Sequence, residues 1–179
     1  MKRKYKYLFT FCLLVCLSCG ANHSFRNFYN AHKNDRDTTS FQAPNFMYSI
    51  LRNVSPEMGS FFQNISNVKF ITFNNITRGK QLQLFKEINT ITTGNFTDMI
   101  LSNSRTQTKL VSVKENGPVV TQAIIFNSTL NKTTAFYLRG SFDPEKLRSL
   151  SETKQFDNLS NTLLLKQNNF LNPSFNPNQ

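Results

Sequence analysis

Apolar positions change their spacing several times along this 179-residue chain, and each change marks an element. The first apolar run, Leu8 to Leu17, is nearly unbroken and follows Lys2, Arg3, Lys4 and Lys6. Its ten residues are about half of what a membrane-crossing helix needs. The run therefore predicts the apolar segment of a signal peptide, closed by Ser18-Cys19-Gly20. Further on, Phe25, Phe28, Tyr29 and His32 recur at one-face helical spacing between His23 and Lys33. Thr38 to Gln42 reads as a short strand. Pro44 suits the first turn of a helix whose apolar side is Phe46, Met47, Ile50 and Leu51. Ser55-Pro56-Glu57 predicts another helix start, with Met58, Phe61, Phe62 and Ile65 on its inner face.

Val68 to Phe73 predicts a strand with apolar residues on both faces, hence one covered from both sides. Thr77 to Thr93 is the clearest helix. Its stripe is Leu82, Phe85, Ile88 and Ile91, and Gly94 is placed to end it. Strands follow at meander spacing: from Phe96 to Leu101, Lys109 to Lys114, Val119 to Phe126 and Thr133 to Phe142. Between two of them, Asn116-Gly117 suggests a tight turn, but Pro118 restricts the glycine and argues for a looser loop. Asp143-Pro144-Glu145 begins a last helix with Leu147 and Leu150 facing inward. Beyond about Lys154 asparagine and proline dominate, apart from Leu163 to Leu165.

The predicted fold is α+β with two layers. One mixed sheet ends in an antiparallel meander, and helices lie mainly on one face. The predicted organisation is a signal peptide over 1–18, a tether over 19–23, one α+β domain over 24–153, and a polar, disordered tail over 154–179.

Composition refines this picture in three ways. All three cysteines, Cys12, Cys16 and Cys19, lie in the first segment, so the body has no internal disulfide. Cys16 to Gly20 resembles a bacterial lipobox, with Cys16 where leucine is usual and Leu17 where a small residue is common. Cys19 is the expected lipidation site, its acyl chains such as palmitate holding the chain to the membrane. The formal charge is +11, of which the signal segment supplies four, leaving +7. These cations are scattered singly, without aromatic interleaving. They suit anionic lipid or polysaccharide better than nucleic acid, which is not an expected partner.

Candidate chemistry is sparse. His23 lies in the tether, and His32 sits on an apolar stripe, where a half-buried structural role is favoured over metal binding. The acid pairs Asp35/Asp37 and Asp143/Glu145 suit turns and helix starts. No nucleophile elbow or glycine-rich phosphate loop is present, so no catalytic residue, cofactor or metal is assigned. Asn-x-Ser/Thr triplets at Asn64, Asn75 and Asn127 support a rival reading as a secreted glycoprotein. Asp37-Thr38-Thr39 resembles a short O-glycosylation acceptor centred on Thr38, although a polar loop before a strand explains it as well.

Several of these features occur together in one family. They are the lipobox cysteine, the aromatic segment Ser24-Phe25-Arg26-Asn27-Phe28-Tyr29, the Val68–Phe73 strand leading into the Thr77–Thr93 helix, and Tyr137-Leu138-Arg139-Gly140-Ser141-Phe142-Asp143. The chain resembles, from about Ser24 to Leu150, the Bacteroidetes lipoproteins grouped as domain of unknown function 4252. The resemblance implies an envelope location and an α/β body, and no catalytic residues. The chain departs from that pattern in its basic charge, its few acids and its long tail.

The expected function is that of a lipid-anchored cell-envelope protein, a non-enzymatic module for binding or envelope maintenance. Its expected partners are the membrane, through the N-terminal lipid, and an unidentified envelope protein or ligand. Alternatives are a periplasmic enzyme of unrecognised type and a non-lipidated secreted glycoprotein. Gly20-Ala21-Asn22 places no aspartate beside Cys19, so the expected location is the outer membrane, facing the periplasm.

Overall fold

The computed structural model describes residues 23–44, 48, 59, 63–152, 156 and 161. Helix α1 (Phe25–His32) leads through β1 (Thr38–Gln42) to β2 (Ile65–Asn74). Helix α2 (Arg78–Thr92) then connects to β3 (Thr97–Asn103), β4 (Gln107–Asn116), β5 (Val119–Thr129) and β6 (Lys132–Phe142), and α3 (Pro144–Glu152) follows. The strands form one sheet in the order β1-β2-β6-β5-β4-β3. The α+β class and the closing antiparallel meander are as predicted.

One detail differs. Every strand pairing among the described residues is antiparallel, so the sheet is not mixed. The α2 crossover does join strands that run the same way, β2 and β3. They are not neighbours, however, because β6, β5 and β4 fill the space between them. Helices α1 and α2 share one face, as predicted for most of the helices, and α3 lies on the other. Phe25, Phe28 and Tyr29 of α1 and Leu84, Ile88 and Ile91 of α2 pack on Ile71, Phe73, Ile124, Phe126 and Ala135. On the opposite face Leu147 and Leu150 of α3 join Tyr48, Phe70, Val111, Ile125 and Phe136.

Local signals place these elements. Ser24 Oγ accepts from Asn27 N–H, and Thr77 Oγ1 accepts from Lys80 N–H, so each helix start satisfies one orphan donor. Asp143 Oδ1 does the same for Lys146 N–H, with Pro144 in the first helical position. Gly94 takes φ +83° just beyond α2. The turn before Pro118 is tight after all: Asn116 pairs with Val119 across two residues. Gly117 has φ +62°, outside the α region that a following proline disfavours.

Apart from Tyr48 and Gly59, the helices expected from Pro44 and Ser55 lie outside the described residues, as does most of the tail. Ile65, expected on the second of those helices, instead opens β2. Phe156, expected in the tail, is buried with its ring 5.6 Å from that of Phe136.

Candidate functional site

The sheet face beneath α1 and α2 changes character towards one end. Along β5 and β6, Phe126, Ile124, Ala135 and Tyr137 belong to or pack on the core. The next residues on that face, Gln122 and Arg139, are polar. Strand register makes them one row: Asn67 stands opposite Arg139, Arg139 opposite Gln122, and Gln122 opposite Lys114. Four strands thus place four polar side chains side by side.

Each ladder becomes irregular beside this row. The register shifts lie between Ile65 and Asn67, Val120 and Gln122, and Lys114 and Glu115. Such bulges bend a strand and re-aim the side chains beside them. Gly140 makes the first irregularity possible. A Cβ there would lie 2.3 Å from the Asn64 carbonyl oxygen, which accepts a hydrogen bond from Ser141 N–H.

The row forms the floor of a cleft of about 690 Å³. Its other walls come from the start of α1, from Lys69 on β2, and from Asn95 and Phe96 after α2. The Phe25 ring stacks on Tyr137 with centroids 5.4 Å apart, holding α1 against β6. The cleft is strongly one-sided in charge. Arg26, Lys69, Lys114 and Arg139 line it, and among the described residues no aspartate or glutamate does. The ion pairs among the described residues engage His32, Arg36 and Lys80 instead. The first turn of α1 carries no acid either, so its positive dipole end adds to the field.

This crowding marks individual groups. Burial, with the Arg26 charge nearby, holds the Lys69 ammonium below the ordinary lysine range. Its Nζ lies 5.6 Å from the centre of the Tyr29 ring, which offers a cation–π contact. Burial raises the Tyr137 phenol, with Arg139 partly opposing that shift. Tyr137 O–H donates to Gln122 Oε1 at 3.0 Å. The Asn67 carboxamide oxygen is buried and has no hydrogen-bond partner among the described residues. A buried acceptor left unsatisfied is costly, so it favours an incoming donor.

His32 belongs to a separate constellation. Nδ1 lies 2.8 Å from Asp35 Oδ2, and Nε2 lies 2.8 Å from Glu87 Oε2, tying α1 to α2. Lys80 Nζ approaches the same Asp35 oxygen at 3.4 Å. The hydrogen bond from His32 is the main cause holding Asp35 below its ordinary pKa. A carboxylate on each ring nitrogen leaves no face on which His32, Asp35 and Glu87 converge. Among the described residues no group of three or more His, Cys, Asp or Glu could hold a metal. His32 is buried between Phe28 and Phe73, in the structural position its place on the stripe implies.

Cys19 lies outside the described residues. Thr38 is the first residue of the edge strand β1 and half-buried, and its hydroxyl donates to the Arg36 carbonyl at 3.4 Å. Asp37 occupies a turn at φ +56°. Neither residue lines the basic cleft. Sequence reasoning missed the cleft residues because each reads alone as a surface charge or amide. One signal was available. Lys69, Gln122 and Arg139 each extend an every-second-residue series that is buried or partly buried further along the same strand: Ile71 and Phe73, Ile124 and Phe126, and the partly buried Tyr137 with Ala135.

The family model for a domain of unknown function, DUF4252, matches residues 29–150. The chain belongs to this family, which names no activity. No curated protein and no solved structure matches the chain.

Proposed function

We propose that this is a lipid-anchored cell-envelope protein that works as a binding module, with the basic cleft as its ligand site. Cys19 carries the acyl chains, and the domain faces the periplasm from the outer membrane. The observation that carries the reading is the cleft itself: Arg26, Lys69, Lys114 and Arg139 on its walls, and no acid beside them among the described residues. Cations brought together without counter-charges create a potential that an anion relieves. The volume lies within the range of small-molecule sites. His32 and its two carboxylates, the best acid–base geometry among the described residues, lie outside this cleft. That separation favours binding over acid–base catalysis as the work of the site.

The test is affinity capture from cell envelopes. Wild type is compared with a double variant, Lys69→Gln and Arg139→Gln, and the bound small molecules are identified by mass spectrometry. An anionic species retained by wild type and lost from the variant supports the reading. Equal recovery of the same species from both contradicts it.

A further inference from the structure

The ligand class follows from the wall chemistry, on the reading that the cleft is the binding site. Two guanidinium and two ammonium groups line the cleft. One carboxylate carries a single charge, whereas a phosphate monoester carries about 1.5 to 2 near pH 7 and offers three acceptor oxygens. Arginine forks match that geometry in pairs of parallel hydrogen bonds. A cleft of about 690 Å³ is far larger than one phosphate, so it has room for the group that carries it. The polar contacts open to that group are not cationic. Asn67 Oδ1 needs a donor, which a phosphate without a proton cannot supply and a hydroxyl can. Gln122 and Tyr137 are already bonded to each other beside it.

We infer that the cleft binds a phosphate on a hydroxyl-bearing group, of which glycerol phosphate is the simplest form, with Arg139 and Lys69 holding the phosphate and Asn67 accepting from a hydroxyl. Two sources carry a phosphate beside a hydroxyl: a soluble phosphorylated polyol, whose monoester has the full charge, and the headgroup of a glycerophospholipid, a diester with one charge and two free oxygens that still fit an arginine fork. The lipid source fits the position of the cleft. Its wall includes His23 and Ser24, only four and five residues from Cys19. Four extended residues reach at most about 14 Å. An acylated Cys19 therefore keeps this wall near the bilayer surface.

The experiment uses the chain without residues 1–18 and with Cys19→Ala, so that no acyl chain contributes. Backbone and side-chain amide resonances are followed during titration with glycerol phosphate, inorganic phosphate and glucuronate at constant ionic strength. A parallel arm measures sedimentation with vesicles of phosphatidylglycerol or of phosphatidylcholine. Glycerol phosphate should shift the Asn67 and Gln122 side-chain amides. Arg139→Gln should weaken that binding about tenfold, the loss of one charge-assisted contact, while Arg139→Lys restores part of it. Asn67→Ala should remove the preference for glycerol phosphate over inorganic phosphate. Sedimentation with phosphatidylglycerol vesicles that is lost in Arg139→Gln assigns the lipid source; response to free glycerol phosphate alone assigns the soluble one. Glucuronate shifting these amides while both phosphates leave them unmoved would overturn the phosphate inference and leave the cleft as a site. If no probe moves them, or Arg139→Gln responds as wild type does, the inference and the site reading both fall. Unchanged melting of each variant confirms that folding is not the cause.

Discussion

Gly140 and Asn64 approach so closely that a Cβ on Gly140 would lie 2.3 Å from the Asn64 carbonyl oxygen and 3.0 Å from the Ile65 α-carbon. The obstruction is backbone, which cannot rotate away. This contact lies at the bulge that precedes Asn67, one residue from Arg139. Gly140→Ala should therefore act on stability and on the cleft together. The expected loss is about 1–3 kcal/mol, the usual cost of overpacking, with the Asn67 amide displaced in the NMR spectrum. An unchanged melting curve would mean that the two strands separate freely here.

The buried face of α2 sets a second expectation. Leu84 and Ile88 are fully buried, whereas Leu82 is 52% exposed and Phe85 lies part-way, against Phe126. Leu84→Ala or Ile88→Ala should cost about 2–5 kcal/mol in chemical denaturation. Leu82→Ala should stay within about 0.5 kcal/mol of wild type. Equal losses at Leu82 and Leu84 would show that the helix is turned the other way.

That face also shows where the sequence was legible. The α1 stripe was read correctly, because Phe25, Phe28, Tyr29 and His32 are all buried. On α2 the inner positions include Gln81 and Thr92, and Gln81 is buried because its amide donates to the Thr129 and Leu130 carbonyls. Apolar periodicity cannot detect a polar residue buried for its hydrogen bonds. β2 was legible as a run apolar on both faces, and the meander by its spacing. Sheet order was not, since nothing in the α2 crossover says that three strands will enter between β2 and β3. The cleft was hidden for the same reason: Arg26, Lys69, Lys114 and Arg139 are distant in sequence and meet only through register.

Asp35 gives a pH dependence of known sign. Its folded pKa lies below the ordinary 3.8, chiefly through His32 and also through Lys80. Between the folded and unfolded values the unfolded chain binds more protons, so stability rises with pH there. The contribution is complete above about pH 4 and is lost as pH falls through the folded value. Asp35→Asn should melt below wild type at pH 6, with the gap closing below pH 4. A gap independent of pH would show that the loss is not electrostatic.

Lys69 should show the opposite balance. Its ammonium is disfavoured by burial and by Arg26, so without a bound anion the charge opposes folding at neutral pH. Because the folded pKa is depressed, that cost persists below it and fades as pH rises through the lysine range. Lys69→Met should melt higher than wild type at pH 7 without ligand, yet bind glycerol phosphate more weakly. Function and stability often conflict in this way. A lower melting temperature would mean that the Tyr29 contact outweighs burial.

The proposed anchor rests on one sulfur. Cys19→Ala should abolish fatty-acid labelling and move the protein to the aqueous phase of a detergent partition, while Cys16→Ala should change neither. Label persisting in Cys19→Ala would overturn the assignment.

Anion binding in the basic cleft is read out by ligand-dependent melting. A ligand that binds only the folded state raises the melting temperature steadily with its concentration. Chloride is replaced by glycerol phosphate at fixed ionic strength, for wild type and for the double variant Lys69→Gln, Arg139→Gln. The melting temperature should rise progressively in wild type and stay constant in the variant. The same rise in both, or in neither, would contradict binding in the cleft.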